Sequence, residues 1–71
     1  MTLRDFNGLT DAGKDEVVML WGDYLTENVV PGFRVTVYKL ANFFVEVYHD
    51  TKTDHIKKFR GCLDTIALYG A

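Results

Sequence analysis

The fold is decided by the stretch FRVTVYKLANFFVEVYHDTKTDHIKKFR, which runs from Phe33 to Arg60. Apolar and polar residues alternate along it, and successive side chains of a strand point to opposite faces of a sheet. Ala41-Asn42 and the polar segment 50–54 interrupt the alternation with residues that are typical of turns. We therefore predict three antiparallel strands, over 33–40, 43–49 and 55–60.

Two helical segments are predicted ahead of this stretch. Thr2 and Asp5 form a capping pair for a short helical turn that ends at Asn7 and Gly8, and Thr10 begins a second helix that ends at Gly22. The apolar side chains expected to cover a sheet are Leu3, Phe6, Leu9, Val17, Val18, Leu20 and Trp21.

The segment from Asp23 to Val30 has several β-forming residues and is predicted to be an edge strand, with Pro31-Gly32 as the turn that follows it. Asp64 is a plausible N-cap for a short C-terminal helix that would pack Ile66, Ala67 and Tyr69 onto the sheet. The predicted fold is α+β: an N-terminal helix, preceded by a short helical turn, on a four-stranded antiparallel β-meander, with a short C-terminal helix.

Length and composition place this fold in a single domain, residues 1–71. The chain is 48% hydrophobic and 25% charged, which indicates a packed core and an ordinary surface. The single cysteine, Cys62, cannot form an internal disulfide. No apolar run approaches the roughly 20 residues of a membrane helix, so we expect a cytoplasmic protein without a membrane segment.

Four short stretches resemble a group of short, uncharacterised bacterial proteins. They are TLRDFN at 2–7, LW at 20–21, FFVEVY at 43–48 and the basic strand at 57–60. The chain departs from that group at Gly13, at Pro31-Gly32 and at Cys62. The resemblance implies a layout of helix, four-stranded meander and helix, and it brings no function with it.

An interaction surface is the first functional prediction. We expect the helices to cover Val35, Val37, Val45 and Val47, which leaves an apolar second face made of Tyr38, Leu40, Phe44 and Tyr48. Exposed apolar patches commonly mark partner sites. A protein partner, a second copy of the chain or the C-terminal segment could cover this face. We expect the protein to be at least partly dimeric at micromolar concentration.

Binding of single-stranded nucleic acid is the alternative prediction. Arg34, Lys57, Lys58 and Arg60 could form a basic patch beside the aromatic residues of the sheet. The net charge of -2 and the pI of about 5.5 argue against it, because nucleic-acid-binding domains are typically basic.

Two histidines flank the loop between the last two strands. If these strands pair in simple register, His49 and His55 face each other, and Asp50 or Asp54 could complete a metal site. The spacing matches no known metal-binding signature, so the two histidines are weak candidates and we assign no metal or cofactor. A proton-sensitive histidine pair is the other reading of this arrangement.

Two further residues could carry chemistry. Glu46 could be a partly buried acid catalyst, or a residue paired with Arg34 or Lys58 across the sheet. Cys62 has no histidine close in sequence and is expected to be a small buried hydrophobe. The chain contains no glycine-rich phosphate loop or hydrolase motif. We therefore expect no enzymatic activity.

Overall fold

The computed structural model describes residues 1–63, which form two helices and one sheet. The elements are α1 (Leu3–Asn7), α2 (Asp11–Trp21), β1 (Asp23–Val30), β2 (Phe33–Leu40), β3 (Phe43–Asp50) and β4 (Ile56–Cys62). The four strands are antiparallel and neighbour one another in chain order, so the α+β class and the four-stranded meander are confirmed. The predicted C-terminal helix falls on residues 64–71, outside the described part of the chain. Neither helix within residues 1–63 is long and apolar enough to span a membrane.

Both helices begin at the predicted caps. Thr2 Oγ1 accepts a hydrogen bond from the Asp5 amide at 3.2 Å, and Asp5 Oδ2 accepts one from the Thr2 amide at 3.1 Å. The hydrogen bond from the Thr2 amide lowers the pKa of the Asp5 carboxyl, because it favours the ionised form, and the Thr2 side chain acts in the same direction. Thr10 Oγ1 accepts from the Gly13 amide at 3.1 Å and begins α2 in the same way.

The turn between β2 and β3 sets which residues share a face of the sheet. Leu40 lies opposite Phe43 across the two-residue turn, so even-numbered residues of β2 pair with odd-numbered residues of β3. Val45 is therefore opposite Tyr38, whereas Val37 is opposite Glu46. The prediction that the valines of both strands share one face was wrong, because a two-residue turn reverses the parity of the paired positions.

One face of the sheet, which we call the helix face, carries the core under α1 and α2. Phe6 and Val18 from the helices pack there against Leu40, Phe43, Val45 and Val47. The helices lie mainly over β2, β3 and β4. The opposite face, called the second face below, presents Phe33, Val35, Val37, Phe44, Glu46, Tyr48, Lys58 and Arg60.

β4 lies close beneath α1 and carries a register shift. A Cβ added to Gly61 would come within 2.3 Å of Leu3 Cδ1, so the strand backbone lies directly under this side chain. The shift lies next to Lys57 and places His49 opposite Ile56. The prediction that His49 and His55 face each other was therefore wrong, since the bulge displaces the pairing by one residue.

Candidate interaction surface

The four residues predicted to form an aromatic interaction surface lie on two different faces. Tyr38 and Leu40 are on the helix face, and Leu40 is buried in the core. Phe44 and Tyr48 are on the second face, and both are half-buried. The predicted surface is therefore not a single surface, for the same reason of turn parity that separated the valines.

Glu46 is the centre of a polar network on the second face. Its side chain is buried, and its Oε1 atom accepts hydrogen bonds from Arg60 Nη1 at 2.7 Å and from the Tyr48 hydroxyl at 3.1 Å. The predicted partners Arg34 and Lys58 are replaced by Arg60, because Arg60 is directly opposite Glu46 on β4. Burial and the hydrogen bond to Glu46 raise the pKa of Tyr48, and the bond to Glu46 also raises the pKa of Arg60.

The aromatic rings of the second face contact neighbouring side chains. Lys58 Nζ lies 4.5 Å from the centroid of the Tyr48 ring, within the range of a cation–π interaction. The Phe33 ring meets the Tyr48 ring edge to face at a centroid distance of 5.8 Å. Tyr48 is thus held by a cation, by another ring and by Glu46.

The predicted basic patch is also divided. Arg34 is on the helix face, where Nη2 binds Asp54 Oδ1 at 2.7 Å and Nε lies 3.6 Å from Glu27 Oε2. Lys57 occupies the bulge of β4. Of the four residues predicted to form the patch, Lys58 and Arg60 share the second face with the aromatic residues.

The loop between β3 and β4 is organised by Asp50. Its Oδ1 atom accepts hydrogen bonds from the amides of Lys52 at 2.7 Å and Thr53 at 3.2 Å, and these bonds lower the pKa of the Asp50 carboxyl. Within residues 1–63, no group of three or more His, Cys, Asp and Glu side chains could hold a metal ion. His49 Nδ1 is buried there without a hydrogen-bond partner, and His55 is exposed.

Most of the exposed large hydrophobic residues in the described part of the chain lie elsewhere, on the end of α2 and along β1. Every large hydrophobic residue between positions 19 and 30 is exposed, and we call this set the apolar edge. It consists of Met19, Leu20, Trp21, Tyr24, Leu25, Val29 and Val30.

The prediction that Leu20 and Trp21 face the sheet was wrong. Val18 is the residue of α2 that is buried in the core, and Leu20 lies about 200° around the helix from it. Trp21 is the last residue of α2 and is 72% exposed. The end of α2 therefore presents its largest side chains away from the core.

β1 is exposed because the helices do not extend fully across it. Tyr24 and Val29 are on the helix face, opposite Tyr38 and Arg34, yet both are exposed. The Tyr24 ring meets the Tyr38 ring in a T-shaped arrangement, with a centroid distance of 6.2 Å. Tyr24 of β1, Tyr38 of β2 and Val45 of β3 lie side by side across the sheet, and Val45 is fully buried whereas Tyr24 is exposed.

A groove extends the apolar edge toward the turn between β2 and β3. It has a volume of about 390 Å³ and is lined by Met1, Val17, Trp21, Leu40 and Ala41. Trp21 belongs both to the wall of this groove and to the apolar edge. The groove and the edge strand therefore meet at one exposed aromatic side chain.

The sequence holds a signal for this surface that the strand alternation obscured. The segment DYLTENVV places apolar side chains on both faces of β1, with Tyr24 and Val29 on one and Val30 on the other. An edge strand that is apolar on both faces is unusual for a protein that remains alone in water.

The comparisons with known proteins give no further indication of function. Protein-family models, curated proteins and solved structures provide no match to the chain.

Proposed function

We propose that this protein is a non-catalytic protein-interaction module and that the apolar edge is its binding surface. The observation that carries the proposal is the exposure of all seven large hydrophobic residues between positions 19 and 30. Singly exposed hydrophobic residues are ordinary, but contiguous exposed apolar patches commonly mark partner sites.

The amount of apolar surface supports the same proposal. At these exposed fractions, the seven side chains present on the order of 700 Å². Each partner contributes roughly 800 Å² to an interface of standard size. The groove beside Trp21 adds a concave pocket that could receive a side chain of the partner.

Glu46 and Cys62, the two residues considered above for catalysis, are both buried. Glu46 is buried and accepts hydrogen bonds from both Arg60 and Tyr48. Cys62 is buried, as predicted. This supports a module that binds through surface complementarity rather than one that carries out a reaction.

Site-specific photo-crosslinking in the native cell tests the proposal. The photoreactive residue p-benzoylphenylalanine is placed at position 21, where it replaces one exposed aromatic side chain with another. The matched control places it at position 52, on the exposed loop after β3. We expect protein adducts from position 21 and none from position 52. Absence of adducts from position 21, or equal yields from both positions, would contradict the proposal.

A second candidate function is binding of single-stranded nucleic acid on the second face. Its support is the register, which places Phe44 and Tyr48 on the same face as Lys58 and Arg60. Stacking residues beside cations are the usual combination in such sites. Fluorescence anisotropy with a labelled oligonucleotide at low and high salt tests it.

Under this second candidate, Lys58→Glu should weaken the binding, and the control Lys52→Glu should not. Binding that is absent, insensitive to salt or equally weakened by both substitutions would exclude it, because contacts to phosphate make affinity depend on salt.

A further inference from the structure

We propose that the partner that covers the apolar edge is a second copy of this chain, with the two β1 strands paired edge to edge and antiparallel. The result would be one continuous sheet with twice the strands of the single copy. This inference rests on the proposed function, since it assigns the occupant of the same surface.

The outer edge of β1 is open to strand pairing within the described part of the chain, because β1 is the first strand of the sheet. Proteins commonly protect such edges with lysine, proline or a bulge. β1 contains no lysine, arginine or proline, and its register shift at Leu25 leaves a regular strand from Thr26 to Val30. The backbone of this segment can therefore accept another strand.

The other edge of the sheet is a poor partner for β1. β4 contains Lys57, Lys58 and Arg60, and its bulge interrupts the edge at Lys57. Lys58 lies over the Tyr48 ring and Arg60 binds Glu46, so both cations are held within their own copy. Pairing of β1 with β4 of another copy would also produce an open chain of molecules, whereas pairing of β1 with β1 closes at a dimer.

Antiparallel pairing of two β1 strands makes the apolar edge complementary to itself. A two-fold axis perpendicular to the sheet keeps the helices of both copies on the same side. The aromatic start of β1, with Trp21 and Tyr24, then lies near the aliphatic end of the second copy, with the second copy's Val29. Each copy would thus cover the side chains that its own helices leave exposed.

β1 carries two acidic residues, Asp23 and Glu27. Glu27 lies between Tyr24 and Val29 along β1, and it is paired with Arg34 of its own chain at 3.6 Å. The negative charge of Glu27 therefore has a counter-charge within its own chain and does not require one from a different protein. The seven residues expose roughly 700 Å² on each copy, distributed over both faces of β1 and the end of α2, and edge-to-edge pairing would cover the part of this area that lies beside the paired strands.

The test compares two substitutions at opposite ends of one row of the sheet. The row runs from Val29 through Arg34 and His49 to Ile56, so Val29 and Ile56 are aliphatic residues on the same face of opposite edge strands. Val29 is 75% exposed and Ile56 is 39% exposed. Val29→Lys and Ile56→Lys add the same charge at the two edges, and circular dichroism checks that both variants fold.

Sedimentation equilibrium at micromolar concentration should give twice the chain mass of 8.1 kDa for the unmodified protein. Val29→Lys should raise the dimer dissociation constant about 100-fold, because the change occurs twice in a two-fold interface. Ile56→Lys should change it by less than about 3-fold, a difference below one tenfold step in affinity. If Val29→Lys fails to fold, Leu25→Lys makes the same comparison at a residue of β1 that is also exposed.

The outcomes separate this inference from the proposed function. A photo-crosslinked adduct from position 21 with twice the chain mass supports both. An adduct with a different protein, together with a monomeric sedimentation profile, supports the interaction module and overturns the second copy. A dimer that survives Val29→Lys and is broken by Ile56→Lys would place the contact on β4 and overturn the inference. Absence of both adduct and dimer would overturn both proposals.

Discussion

β1 and β4 are the two edge strands of one sheet, and they differ in how firmly the rest of the molecule holds them. On the helix face, β4 contributes Phe59, which packs on the core, and Gly61, which lies under Leu3. β1 contributes Tyr24 and Val29 to the same face, and both are exposed. Among residues 1–63 the helix layer is displaced toward β4, so these residues cover one edge of the sheet and leave the other exposed.

The ion pairs that connect each edge strand to its neighbour show the same difference. Arg60 joins β4 to Glu46 of β3 at 2.7 Å, and the Glu46 side chain is only 6% exposed. Glu27 joins β1 to Arg34 of β2 at 3.6 Å, and both of these side chains are about 40% exposed. A buried charge depends strongly on its partner, while an exposed pair contributes little. The comparison predicts substitutions with large effects at β4 and small effects at β1.

The largest effect is expected for Arg60→Met. It retains much of the apolar stem of the arginine and leaves the buried Glu46 carboxylate with the Tyr48 hydroxyl as its remaining partner among residues 1–63. We expect the free energy of unfolding to fall by about 2 kcal/mol, below the range for fully buried pairs that lose one member, because Glu46 is buried while the Arg60 side chain is 45% exposed. Chemical denaturation measures it. In the double variant with Glu46→Gln, most of the loss should be recovered, and an Arg60→Met variant as stable as the parent would contradict the comparison.

The sequence predicted the strands better than it predicted their pairing. Alternation and turn residues gave the four strands and both helix caps, because these features depend on neighbouring residues. The two-residue turn at Ala41-Asn42 predicts the chain reversal. It also requires Val45 to lie opposite Tyr38, and not opposite Val37, which the prediction of a shared valine face did not take into account.

The apolar edge was harder to predict from the sequence than the strands were. The spacing of Val17, Leu20 and Trp21 is that of a helix stripe, and the position of α2 over the sheet is what leaves Leu20 and Trp21 exposed. The exposure of β1 likewise depends on how far the helix layer extends, which is a property of tertiary packing. The exposure of an apolar residue depends on which other elements pack over it, and the local sequence pattern does not specify this packing.

The next effect concerns the close contact between β4 and α1. Gly61→Ala places a Cβ within 2.3 Å of Leu3 Cδ1, so the leucine side chain must move. Because Leu3 can rotate, we expect a loss of between about 1 and 2 kcal/mol in the free energy of unfolding. Leu3→Ala in the same chain should remove the steric part, so the two substitutions should be non-additive in a double-mutant cycle. Strict additivity would show that the contact does not hold β4.

A smaller effect is expected for Tyr48→Phe, which removes the hydroxyl that donates to Glu46. We expect a loss of about 1 kcal/mol near neutral pH, because Arg60 still binds the carboxylate.

The pH dependence gives a second measurement on the same residue. The pKa of Tyr48 is raised from 10.0 in the folded protein, so the fold favours the neutral phenol. The stability that Tyr48 contributes is present below its unfolded pKa and is lost as the pH rises through its folded pKa. The difference in stability between the parent and Tyr48→Phe should therefore decrease above pH 10. A difference that grows with pH in this range would contradict the hydrogen bond.

The smallest effect is expected at β1. Glu27→Gln removes the charge that faces Arg34, which keeps Asp54 Oδ1 as a partner at 2.7 Å. The free energy of unfolding should change by less than about 0.5 kcal/mol, because solvent screens an exposed pair and Arg34 retains an acid. Measured beside Arg60→Met at the same ionic strength, this variant compares an exposed cross-strand pair with one whose carboxylate is buried. If Glu27→Gln lowered the free energy of unfolding as much as Arg60→Met, β1 would be held as firmly as β4. The position of the helix layer would then not explain why β1 is exposed.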